Sequence, residues 1–134
     1  MRWHAVCAPT LEDFDTLAGD AFAALPARFR ALCGDVVIRV EDFPDEEVLA
    51  AFEAETPFDI SGLYQGTDLT SRSHSDPLPL PAMVFLYRRP ILDEWSEGGV
   101  SLGALITHVL VHEIGHHFGL SDADMERIEA EARG

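Results

Sequence analysis

The most restrictive pattern in the chain lies between Ser101 and Asp122. Two histidines stand four residues apart, His112 and His116, with Glu113 after the first, Gly119 three beyond the second and Asp122 three further on. Ser101 suits a helix N-cap, and Leu102 to Phe118 reads as one long helix closed by Gly119, where a left-handed residue is favoured. On an α-helix four residues advance about 6 Å and turn about 40°, so both imidazoles leave one face and can meet a single metal ion. Glu113 stands about 60° round the axis from His116, placed to hydrogen-bond a metal-bound water and take its proton. The helix must then stop and the chain turn back to deliver a third ligand. Gly119 permits the turn without steric cost, and Asp122 offers an oxygen beyond it. Two imidazoles and one carboxylate with an open fourth position suit zinc, one ion per chain. Any fold for this chain must support one long helix, keep this face accessible and return a short segment against it.

The remaining elements are read from periodicity and punctuation. Thr10 begins a helix whose apolar residues Leu11, Phe14, Leu17, Ala18, Ala21, Phe22 and Leu25 recur at three- and four-residue steps. Pro26 interrupts it, and a short second helix ends at Gly34. Asp35 to Glu41 is β-branched and predicts a strand, and Pro44 to Glu55 a short helix. From Thr56 to Pro81 periodicity disappears, apart from a short strand around Ile60, Leu63 and Tyr64; so long a loop is more often functional than idle. Met83 to Tyr87 has the length and apolarity of a strand, either one along which an extended peptide can add or simply a core strand. Ser121 caps a last helix, with Asp124 three residues later in an acidic capping box. This order of elements predicts a single α+β domain over residues 1–134, with a small sheet.

Charge narrows the partners. The 134 residues hold 24 acids against nine basic residues, all of them Arg, for a formal charge of −15 with histidines neutral. No cationic surplus exists to neutralise phosphates or an anionic membrane surface, so neither nucleic acid nor membrane is an expected partner. No apolar run approaches the roughly 20 residues of a membrane span, and the opening residues lack the apolar stretch of a signal peptide. Cys7 and Cys33 form no C-x-x-C pair and are expected as inert free thiols of a cytoplasmic protein.

Several segments together resemble a known family. They are Gly62-Leu63-Tyr64-Gln65-Gly66-Thr67 with Leu69-Thr70, then Val84-Phe85-Leu86-Tyr87-Arg88-Arg89-Pro90-Ile91, then Val109 through Leu120 around the histidines. In these marks and in its size the chain resembles the very small bacterial zincin-like metallopeptidases. The resemblance implies an abbreviated zincin fold: a small mixed sheet, the zinc helix packed beneath it, and a cleft along its edge strand. It also implies zinc held by His112, His116 and Asp122, Glu113 as base, and a peptide or protein substrate; the chain is expected to act as a monomer. Metzincins place a Met-containing turn well beyond the third ligand. Only 12 residues follow Asp122 here, and Met125 falls on the last predicted helix, so the likeness is to zincins at large.

Some assignments stay open on the sequence. Asp122 also suits the first turn of a helix whatever else it does, and Asp124 and Glu126 compete with it as third ligand. His108, one turn before His112, would extend the metal face, but three successive turns supplying every ligand would leave the glycine turn unexplained. His117 points about 100° from His116 and reads as a packing residue. Tyr64 or Tyr87 can donate to a developing oxyanion, or simply sit at the edge of the core. Two alternatives to a peptidase use the same residues: a zinc-binding interaction or regulatory module, and a zinc hydrolase acting on a non-peptide amide.

Overall fold

The computed structural model describes residues 8–65 and 82–133; Cys7 and residues 66–81 of the expected loop, with the family marks Gly66, Thr67, Leu69 and Thr70, lie outside them. Helix α1 (Leu11–Ala23) opens with a reciprocal cap: the Asp13 amide donates to the Thr10 hydroxyl at 3.1 Å, and the Thr10 amide donates to the Asp13 carboxylate at 2.9 Å. After Pro26 comes α2 (Ala27–Cys33), then β1 (Val37–Glu41). Helix α3 (Glu46–Ala51) is shorter than the Pro44–Glu55 expected. The Asp45 carboxylate caps it at Val48, and at the other end Glu53 takes a left-handed φ of 52° while the Ala54 amide reaches back to Leu49.

A 3₁₀ turn at Pro57–Asp59 leads into β2 (Gly62–Gln65), near the short strand expected there. Strand β3 (Met83–Tyr87) runs directly into α4 (Arg88–Glu97), a helix the sequence reading did not anticipate. It starts without a side-chain cap, so no local start signal marks it, and Pro90 is tolerated in its first turn. Helix α5 (Leu102–His117) is the long helix, with the Ser101 hydroxyl accepting from the Ala104 amide at 3.1 Å. Gly119, at φ +73°, turns the chain into α6 (Asp122–Arg133), where Ser121 and Asp124 form the expected capping box.

The three strands make one mixed sheet in the order β1-β3-β2. Strand β3 lies parallel to β1, with Val37 opposite Met83, and antiparallel to β2, with Gly62 opposite Leu86. Of the two readings of Met83–Tyr87, a peptide-adding strand or a core strand, the core strand is the one observed. A strand has two hydrogen-bonding edges, and both edges of β3 are filled, which also explains its unbroken apolar run. The architecture is a small α+β fold with a mixed sheet and the long helix packed against it, as expected.

Helix α5 is the hub, contacting α1, α4, α6, β2 and β3. Leu102, Leu105, Ile106, Val109, Leu110, Val111, Ile114 and Gly115 are buried on it, against Phe14 and Ala18 of α1, Val84 and Leu86 of β3, Ile91 of α4, and Met125 and Ile128 of α6. Each large apolar side chain removed from water contributes roughly 1.5–3 kcal/mol, so this one helix anchors much of the core. His108, His112 and His116 are left to the sides that the core does not cover, and Glu113 is half-buried. No helix among the described residues is long and apolar enough to cross a membrane.

Candidate metal centre

The histidines of α5 spread over two adjoining sides of the helix. His112 is half-buried and His116 exposed, with ring centroids 5.5 Å apart at 86°. His112 and Asp122 line one open cavity of about 590 Å³ together with His108, Glu126 and Glu129. Burial holds the His112 imidazole below its ordinary value, and the neighbouring His108 and His116 push the same way against Glu129 and Asp122. The neutral imidazole this favours is the form that ligates a metal.

Glu113 faces the sheet. A Cβ added to Gly62 of β2 would lie 3.2 Å from the Glu113 Cγ and 2.7 Å from the Val109 Cγ1, so strand and helix approach each other here as only glycine allows. Half-buried in this contact, the Glu113 carboxyl is raised above the usual range by desolvation and drawn back in part by His116. A carboxylate with raised affinity for protons, one residue from a neutral imidazole, suits proton transfer near neutral pH.

Asp124, one of the competing carboxylates, is committed elsewhere: it caps α6 through Ser121 and pairs with Arg127, and these contacts hold its carboxyl below the usual range. Asp122 and Glu126 stay exposed in the cavity. His117 packs against Tyr64, ring centroids 4.3 Å apart, and against Phe118, as a packing residue should. The two tyrosines separate. Tyr64 is half-buried on β2 beside α5, whereas Tyr87 is 1% exposed, inside the core. Cys33 is buried, and desolvation raises its thiol, which keeps it unreactive.

One donor group was not foreseen. His108, His112 and Glu129 each present a ligating atom, and these atoms all lie within 4.8 Å of one another; neither His116 nor Asp122 belongs to this group. The sequence pattern leaves His108 outside the ligand set and gives Glu129 no role. A signal for Glu129 existed. It shares the apolar stripe of α6 with Met125, Ile128 and Ala132, at helical spacing, where a carboxylate has no place without a partner.

The donor chemistry fits a zinc-class ion: imidazoles, carboxylates and an open cavity, with no thiolate among the described residues that line it. A family model described as zincin-like metallopeptidase matches residues 33–132, which contain β1 to α5, all but the last residue of α6 and every residue of the site. No curated protein matches the chain.

Proposed function

We propose that this chain, which belongs to the zincin-like metallopeptidase family, hydrolyses peptide bonds with one zinc held by His112, His116 and Asp122. Zinc bound there supplies a Lewis acid that polarises the scissile carbonyl and lowers the pKa of water. The chain's own residues do the rest. Glu113 accepts a proton from the attacking water and delivers it to the departing amine, a shuttle for which its raised proton affinity suits it. Tyr64, beside α5, is the phenol we assign to the developing oxyanion, since Tyr87 is closed off in the core. An extended substrate adds along β2, whose partner among the described residues lies on one side only.

The observation that carries this reading is the position of Glu113, half-buried against Gly62 and next to His112. A module that merely binds zinc has no use for a base in that place. The test is Glu113→Gln, assayed on a peptide library with zinc content measured in parallel. Hydrolysis is expected to fall by at least about 100-fold with zinc still bound. Equal hydrolysis in the variant would overturn the mechanism. Absence of hydrolysis in the zinc-loaded parent across the library would favour the interaction module.

A further inference from the structure

We propose that His108, His112 and Glu129 form a second site for a zinc-class ion, sharing His112 with the H-E-x-x-H pair, so that the chain holds its ion on one set or the other. The inference rests on the proposed function only in counting His112 among that function's ligands. Glu129 carries it. At 6% exposure it is the one buried charged side chain among the described residues. A carboxylate taken out of water needs a compensating positive charge, and its ion-pair partners among the described residues are the two imidazoles, with no guanidinium among them.

The donor atoms of the three side chains converge, one contact at hydrogen-bond distance and one beyond it. Glu129 Oε1 lies 2.8 Å from His108 Nδ1, and Oε2 lies 3.6 Å from His112 Nε2. The second distance is too long for a good hydrogen bond but close to the roughly 3.3 Å that separates two ligands across one tetrahedral zinc. The His108 and His112 rings lie 4.0 Å apart at 38°, both turned toward α6. Two turns of α5 and one turn of α6 thus supply two nitrogens and an oxygen, a set that selects zinc and its first-row neighbours over calcium or magnesium.

The two sets differ in one respect that bears on function. Residue 113, after His112, is glutamate, whereas residue 109, after His108, is a buried valine. Glu113 stands about 140° round the axis from His108 and faces the sheet. An ion on His108, His112 and Glu129 therefore has no base at the corresponding position, and this second set holds metal in a resting arrangement.

The test is equilibrium zinc binding to the full chain, stripped with chelator and titrated with zinc against a chromophoric competitor. The variants are His116→Ala, Glu129→Gln, His112→Ala and the double His116→Ala/Glu129→Gln, with circular dichroism to verify folding. His116 is exposed, so its removal leaves the core intact. One zinc is expected in the parent, in His116→Ala and in Glu129→Gln, each single variant weakened by no more than about 100-fold. Both His112→Ala and the double variant are expected to lose zinc. Loss of zinc in His116→Ala as complete as in His112→Ala would overturn the second site and leave the proposed ligand set standing. Retention in His116→Ala with loss in Glu129→Gln would sustain the second site and overturn the proposed ligand set. Two zinc ions per parent chain would overturn the sharing of His112, and none at all would overturn both readings.

Discussion

Tyr87 shows how strongly place overrides residue type. Its phenol is buried, and burial, aided by the charges of Glu41, Asp45 and Glu113, pushes it up to about 12 from an ordinary 10.0. The folded chain thus keeps a proton that the unfolded chain gives up. The stability Tyr87 contributes is whole below pH 10 and is lost as pH rises toward 12, at up to about 1.4 kcal/mol per pH unit. The chain has no lysine, so few other groups titrate in that window. Chemical denaturation at pH 9, 10 and 11 is expected to show parent stability falling more steeply than that of Tyr87→Phe. Parallel slopes would mean that Tyr87 ionises as freely folded as unfolded.

At the scale of elements, the contact between β2 and α5 sets the base. Gly62 lies so close to Val109 and Glu113 that a methyl group there must displace one of them or the Phe85 carbonyl, 3.1 Å away. Gly62→Ala is expected to lower peptide hydrolysis by about tenfold or more, because a shift of order 1 Å in a catalytic group is costly. Zinc content should not change, since the ligands lie on other sides of the helix. Stability should fall by roughly 1–3 kcal/mol from overpacking. Full hydrolysis in the variant would show that the strand yields and Glu113 does not depend on it. A similar closeness occurs between α5 and α6, where a Cβ at Gly115 would meet the Met125 sulfur at 2.5 Å. The two glycines let the helix sit tightly against a strand on one side and a helix on the other.

For the whole molecule the dominant fact is charge. A formal −15 on 134 residues, relieved by pairs such as Arg28–Glu131 and Arg88–Asp42 at the surface, leaves the folded state repelling itself. Salt screens that repulsion more than it weakens a few exposed pairs, each of which contributes little. The melting temperature of the metal-loaded protein is expected to rise by a few degrees between low salt and about 0.5 M sodium chloride, equivalent to about 1 kcal/mol. A flat or falling value would show that the ion pairs outweigh the repulsion.

What local geometry dictates was legible along the chain. Helical spacing aligns His112 with His116, Ser101, Thr10 and Ser121 cap because their hydroxyls satisfy free amides, and Gly119 turns left-handed because it has no Cβ. Such signals act within about four residues and can be read in order along the chain. The rest depends on which elements meet in space. Met83–Tyr87 became the central strand rather than an edge because β1 and β2 took both its sides. Helix α4 formed without a cap, held by burial of Pro90 and Ile91. Tyr64 and Tyr87, alike in sequence, went to the helix-facing strand and to the core. Glu129, 17 residues beyond His112, reached it only because the turn at Gly119 folds α6 back onto α5, and no spacing rule spans a turn whose angle is set by packing.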